Sequence, residues 1–288
     1  MTANELGSDS SAGPAAGNAF SQPGAAEGWR RSAAVRGQTY AEATSLLFAW
    51  AQLEPGQRVL DIAAGTGDTA ILAAEQVGPS GYVLATDLSE SMMAVAAEEI
   101  QKAGLSNVET RVMDARTLDL PDASFDAVIS RMGIMLMPER HRALAEMRRV
   151  LKPGGRLAVV VWGTAERNLG TFLPVSIARR HAQLPPPTPG APGMFALGAP
   201  GLLNQTLSDA GFQDVRVQAV SAPRVFRDAS AMRSFLVGGT QALSDSLAKL
   251  GESGRAAALA EIEETMLQFQ GPDGIHIPGQ ALVGFGLN

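Results

Sequence analysis

The run Val59-Leu60-Asp61-Ile62-Ala63-Ala64-Gly65-Thr66-Gly67-Asp68 puts a carboxylate near the end of a short apolar segment and follows it with small residues. Such residues let a backbone turn closely against a ligand. Twenty residues past Gly67, a second apolar run ends in Asp87, where a carboxylate can accept both hydroxyl protons of a ribose. A third acid, Asp114, follows the run 108–113 and is placed to accept from an adenine amino group. The three acids and the loop together describe a site for a nucleoside-bearing ligand.

The loop alone does not say which nucleoside. With Ala70 it satisfies the GxGxxA spacing of dinucleotide sites, but Asp68 stands where a pyrophosphate would lie. Two charges of one sign at close range in a partly dry site repel by several kcal/mol. Asp61 suits a cationic amino group, which a nicotinamide dinucleotide lacks. Taken singly, these features are commonplace: a glycine turn after a strand is as often an ordinary turn, and Asp87 alone reads as a solvated acid beside a helix. Their coincidence at successive strand ends carries the functional reading.

The elements that must hold these residues alternate between short apolar runs and longer amphipathic ones, the mark of βαβ repetition. Strands are predicted at 58–63, 82–87, 108–113, 125–130 and 156–162. A helix follows the second strand, with Ser89 as its cap, Glu90 in the first turn, Lys102 in the last and Gly104 at its end. Another spans about 138–151 and stops before Pro153-Gly154-Gly155. Right-handed crossovers make the sheet parallel, with the strand C-termini on one rim. Apolar residues at helical spacing between Trp29 and Leu53 predict one or two helices ahead of the sheet. The stretch 164–200 lacks a clear period and reads as a lid or cap. A helix near 200–211, a strand near 214–221, helices within 228–270 and a last strand near 275–287 complete the chain.

This predicts a flexible tail over 1–27, rich in Ala, Gly, Ser and Pro, and one domain over 28–288. Its core comprises about 55–162, 200–227 and 272–288; the cap comprises 28–54, 164–200 and 228–271.

Composition narrows the function. Net charge is −6 and aromatics are 5% of the 288 residues, a poor footprint for nucleic acid. There are no cysteines and three scattered histidines, so neither thiolate chemistry nor a metal site is expected. No apolar run is long enough to span a membrane and no export signal is visible, so cytoplasmic residence is the expectation.

The segments VLDIAAGTGDTA, ATDLSESMM, VMDARTLDLPDASFDAVIS and LAEMRRVLKPGGRLAVVVW resemble the class I S-adenosylmethionine-dependent methyltransferases, most of all the branch typified by ubiquinone and menaquinone C-methyltransferases. The likeness covers about 55–162 in order and spacing. It implies an α/β fold: a doubly wound, seven-stranded, mostly parallel Rossmann-like sheet with its last strand antiparallel, and a helical cap. It implies S-adenosylmethionine as cofactor and S-adenosylhomocysteine as product, without a metal. Asp61, Ala63, Gly65, Thr66 and Gly67 would surround the methionine part. Asp87 would take the ribose, Leu88 and Met92 would flank the adenine, Asp114 and Ala115 would meet its edge, and Ser130 and Arg131 would lie near the methionine amino group and methyl.

The likeness stops short of the acceptor. Where the quinone enzymes carry an Arg-Asn segment after the fourth strand, this chain has Met132-Gly133-Ile134-Met135-Leu136-Met137. The expected activity is methyl transfer to a small molecule through O, N or C. The alternatives are a NAD-dependent oxidoreductase on a similar sheet and a non-catalytic cofactor-binding protein. A nucleic-acid methyltransferase is disfavoured by charge and because Pro185-Pro186-Pro187 is followed by Thr188 rather than an aromatic residue. No catalytic residue is identified. Tyr40, His181 and His276 are base candidates only through falling in segments that could cover the rim, and packing or surface roles are the simpler reading of each. Met132, Met135 and Met137 read as core before substrate wall, and Arg179-Arg180-His181 as a solvated helix face. Trp29, Arg30 and Arg31 could fold over the cofactor as a lid, a closure that sequence alone does not show.

Overall fold

The computed structural model describes residues 25–186, 188, 191–237 and 241–288. The expected tail 1–27 lies outside these residues except at 25–27, which open helix α1 (Ala25–Arg31). Helices α2 (Ala33–Thr39) and α3 (Ala41–Ala51) follow. The α/β repeat then runs through β1 (Arg58–Ile62), α4 (Asp68–Val77), β2 (Tyr82–Asp87), α5 (Glu90–Lys102), β3 (Val108–Val112), β4 (Phe125–Arg131), α6 (Arg140–Val150) and β5 (Leu151–Trp162). After it come α7 (Leu169–His181), α8 (Leu202–Asp209), β6 (Gln213–Ser221) and β7 (Arg224–Phe226). The chain closes with α9 (Ala229–Val237), α10 (Gln241–Leu247), α11 (Glu252–Leu267), β8 (Gln270–Gly271), β9 (Gly274–Ile277) and β10 (Gln280–Leu287).

The main sheet has seven strands in the order β3-β2-β1-β4-β5-β10-β6. All its pairings are parallel except those of β10, which lies antiparallel between β5 and β6, so the doubly wound expectation holds. Strand order reverses between β1 and β4. Right-handed crossovers then send the helices before and after the reversal to opposite faces, leaving a crevice at the strand tips there. The central strands read as continuous apolar runs because both faces are covered: Val59, Leu60 and Ile62 of β1 and Ala127, Val128 and Ile129 of β4 are buried. Ser89 caps α5 as expected, its Oγ accepting from the Met92 N–H at 3.3 Å.

Four boundaries differ for physical reasons. β5 starts at Leu151, ahead of Pro153-Gly154-Gly155: its pairing with β4 jumps from Phe125 against Leu151 to Ala127 against Arg156, so the turn residues form a bulge within the strand. The expected last strand, 275–287, is two. It breaks at Pro278-Gly279, where a Cβ on Gly279 would lie 2.0 Å from the Ala222 carbonyl oxygen; β9 then joins β7 and β8 in a small separate sheet. Within 164–200, α7 forms despite its weak periodicity, with Pro174 inside it. Its buried Ile177 and Ala178 belong to a second core with Phe226, Met232, Ala258 and Ile262. Finally, α3, read as cap, packs on β4, β5, β6 and β10, and its Leu47 is fully buried in the main core.

Candidate functional site

The loop between β1 and α4 turns on three residues with left-handed backbone, Ala63 (φ 57°), Gly65 (φ 57°) and Gly67 (φ 85°). The Ala64 N–H donates to the Thr86 carbonyl and the Gly67 N–H to that of Ala64, so the loop folds back against the tip of β2. A Cβ on Gly133 would come within 2.6 Å of the Ala63 Cβ and 2.8 Å of Ser130 Oγ. Only a glycine allows the tips of β1 and β4 to meet this closely.

Asp61, on β1, is fully buried, and both its carboxylate oxygens lack a hydrogen-bond partner among the described residues. Burial pushes its pKa up to about 8, against the pull of the nearby Arg131 guanidinium, while Asp87 and Asp68 push it the same way as burial. A carboxylate so placed is costly unless a cation meets it. Ser130 Oγ is likewise buried and unpartnered.

At the tip of β2, Asp87 accepts from the Gly65 N–H through one oxygen and from the Ser89 N–H through the other, each at 3.0 Å. Burial raises its pKa against these backbone donors. Leu88 beside it is 51% exposed, whereas the Met92 side chain is buried. Past β3, Asp114 is gripped by Arg116, whose Nε lies 3.0 Å from both oxygens and whose Nη2 lies 2.6 Å from one. The guanidinium holds this carboxyl below its ordinary range. Ala115 packs partly buried against the main core. The structure thus brings Asp61, the loop, Asp87, Asp114, Ser130 and Arg131 to one rim, across the tips of β3, β2, β1 and β4 in that spatial order.

Asp68 requires a correction. Its Oδ2 accepts from Arg36 Nη2 at 2.7 Å and lies 3.5 Å from Arg131 Nη2, while Thr66 Oγ1 donates to its Oδ1 at 2.9 Å. Two guanidiniums answer its charge, so repulsion by Asp68 is not what bars a pyrophosphate. Space above the loop is already taken: Trp29 Nε1 is 3.2 Å from where a Gly65 Cβ would sit. Arg36 stacks 4.3 Å from the Trp29 ring centroid and donates to the Trp29 carbonyl and to Thr66 Oγ1. Arg30 pairs with Glu98 on α5. Helices α1 and α2 therefore stand against the loop through Trp29 and Arg36, while Arg30 reaches α5.

Tyr40 is buried, edge-on to Trp162 with ring centroids 5.3 Å apart and Arg131 5.5 Å from its own centroid. Arg131 also donates to Thr44 Oγ1 at 3.0 Å. The other base candidates lie elsewhere: His181 bonds Glu261 of α11 at 2.8 Å, and His276 is exposed on β9. Met132 and Met135 are buried core and Met137 packs against them. Arg36, Thr44, Trp162 and Arg224 escaped sequence reasoning. The signal for Arg36 was its place four residues before Tyr40 on one helical face; nothing local marked the others. A groove of about 420 Å³ lined by Arg148, Pro153 and Asn288 opens at the opposite rim, away from all of these groups.

A methyltransferase-domain family model matches residues 59–155. The chain is 45% identical over 119 residues to the ubiquinone/menaquinone biosynthesis C-methyltransferase of Bordetella avium, covering 41% of this chain and 46% of that one. It is 35% identical over 183 residues to the demethylmenaquinone methyltransferase of Listeria welshimeri, covering 57% of this chain and 74% of that relative. The chain thus spans about half the length of the first of these relatives. The fold is shared with the YcgJ protein of Bacillus subtilis, at 22% identity and TM-score 0.58 over 86% of this chain and 98% of that one. The chain belongs to the class I S-adenosylmethionine-dependent methyltransferases, in the branch of the ubiquinone and menaquinone C-methyltransferases.

Proposed function

We propose that this protein transfers a methyl group from S-adenosylmethionine to a small-molecule acceptor by direct displacement in a closed, water-excluding site. The observation that carries the reading is Asp61: a buried carboxylate with neither oxygen satisfied, beside a close-turning loop at the point of strand reversal. The cofactor's ammonium is a fitting partner for it. The other residues fit too. Asp87 retains lone pairs for ribose hydroxyls, Leu88 offers an apolar face to an adenine, and Asp114 with Ala115 would meet the adenine edge, where Arg116 now competes. Ala63, Gly65, Thr66 and Gly67 themselves contribute only backbone and short side chains beside the methionine part, with the Trp29 indole set against Gly65. Ser130 and Arg131 would bind at its amino-acid end. Met92, buried and with its N–H donating to Ser89 Oγ, would flank the adenine together with Leu88.

Bound there, S-adenosylmethionine supplies a methyl group already made electrophilic by its sulfonium. The chain's task is alignment and dryness. Trp29 and Arg36 close the loop side, while Tyr40 and Trp162 wall the side toward β5. The acceptor is a small molecule in this reading; the acidic surface and scarce aromatics speak against nucleic acid. The curated relatives act in quinone biosynthesis by name, but Met132–Met137, core here, offers no matching acceptor residues.

Titration with S-adenosylhomocysteine tests the reading. D61N is expected to weaken binding about thirtyfold or more, the cost of removing one partner of a buried charge pair; equal affinity would remove Asp61 from the site. Labelled-methyl transfer to a broad metabolite extract then separates an enzyme from a binding protein, since binding without transfer to any metabolite would mean the latter.

A further inference from the structure

Arg224, where β7 begins, is a buried guanidinium, only 8% exposed, and no carboxylate pairs with it among the described residues. It makes one hydrogen bond, from Nη1 to the Gly170 carbonyl at 2.7 Å. Around it lie aromatic rings, with centroids of Phe235 at 5.0 Å and Trp162 at 5.8 Å. Leaving a buried guanidinium without an anion is expensive, and the rest of this cluster does not do so: Arg36 and Arg131 share Asp68. The cluster continues from Arg224 through Trp162 and Tyr40 to Arg131, so three guanidiniums face one ion-pair partner among the described residues, Asp68, while Asp61 is the partner read above for the cofactor's ammonium. The cofactor does not answer the surplus, because S-adenosylmethionine carries one carboxylate against an ammonium and a sulfonium.

The position is as telling as the charge. Arg224 opens β7 of the small separate sheet, yet it stands beside Trp162, the last residue of β5, two strands along the main sheet from β1 and away from the acid-bearing tips of β1 to β3. A crevice of about 10 Å³ lined by Gly170, Thr171, Arg224 and Phe235 borders it, room for about one oxygen-sized group. We propose that Arg224 is the anion-binding residue of the acceptor site, so that the molecule methylated carries an oxyanion whose charged oxygen reaches this guanidinium. This rests on the methyltransferase reading. It makes the substrate class acidic metabolites rather than neutral ones, and it makes the two ends of the cleft opposite in charge preference: a cation at Asp61, an anion at Arg224.

The test uses the full chain, tritiated-methyl S-adenosylmethionine and a metabolite extract split on an anion exchanger at pH 7 into retained and unretained fractions. Label is expected in the retained fraction. Amidation of that fraction abolishes acceptance if the anion is a carboxylate, and phosphatase treatment abolishes it if the anion is a phosphate monoester. R224M should raise KM for the retained fraction about thirtyfold or more with kcat little changed and S-adenosylhomocysteine affinity within about twofold. R224K, which keeps a charge without the planar fork, should recover part of the loss, and it serves alone if R224M does not fold. Label in the unretained fraction only, or an R224M variant that methylates acidic acceptors like the parent, would overturn the proposal and leave Arg224 as a prop for Gly170. Failure of the methyltransferase reading looks different: no label in either fraction and no S-adenosylhomocysteine binding by the parent, which would take this proposal with it.

Discussion

The two flanks of the cleft are built by different means. On one, over β1 to β3, the acids Asp61, Asp87 and Asp114 stand at strand tips; Asp87 accepts from the N–H of Ser89, two residues on, as well as from that of Gly65 on the neighbouring loop, and Asp114 is held by Arg116, two residues on. On the other, Arg36, Arg131 and Arg224 come from α2, β4 and β7 and are held by distant partners: Thr66, Thr44, Gly170 and the rings of Tyr40, Trp162 and Phe235. Local turns can aim a carboxylate with short-range hydrogen bonds. A long guanidinium needs a surface assembled from several elements to hold it. The acid flank is therefore a property of strand ends, and the basic flank a property of how the cap and leading helices close on the sheet.

The sharpest break of this contrast is by pH. In the folded chain the Asp61 carboxyl sits at about 8, well above the roughly 3.9 of an unfolded aspartate. Its contribution to stability is therefore fully present below about pH 4 and is lost as pH rises through 8. Against D61N, the parent's unfolding free energy, followed by urea titration, should fall across that window. Cofactor binding needs the carboxylate, so S-adenosylhomocysteine affinity should climb by up to about tenfold per pH unit below 8. At higher pH it should level off and then decline as the ligand's own amino group loses its proton. D61N should lack the acid-side rise; the same rise in D61N would assign it to another group.

Breaking the basic flank should cost stability before affinity. R36M removes a buried guanidinium from Asp68, Thr66 and the Trp29 carbonyl, and a loss of about 3 kcal/mol is expected, read as a lowered urea midpoint together with a change in Trp29 fluorescence. A loss below about 1 kcal/mol would mean that Arg131 alone suffices for Asp68. The smallest effect probes the local end of the contrast. S89A deletes the α5 cap and should cost about 1 kcal/mol, without altering the fluorescence of Trp29.

Legibility followed the same divide. The loop, its acids, the α5 cap and the parallel repeat were readable because each depends on residues within one turn or one strand of each other. The bulge at Pro153-Gly154-Gly155 read as a stop, since the partner registers that admit it lie on β4. The split at Pro278-Gly279 read as continuous strand, because the carbonyl forbidding a side chain at Gly279 belongs to Ala222, far away in the chain. Asp68 read as a bare charge for the same reason: its two guanidiniums come from Arg36, 32 residues upstream, and Arg131, 63 residues downstream.

By itself the sequence determined the parallel repeat, the close turn after its first strand and the carboxylates at the strand tips, since strand period, small-residue turns and caps act over short range. Only the tertiary structure decided which charges are answered and which are left waiting. Burial and ionic pairing depend on what other segments bring to the same place. Asp61, with no hydrogen-bond partner, and Arg224, with no carboxylate, among the described residues acquire their meaning from surroundings that no stretch of sequence displays.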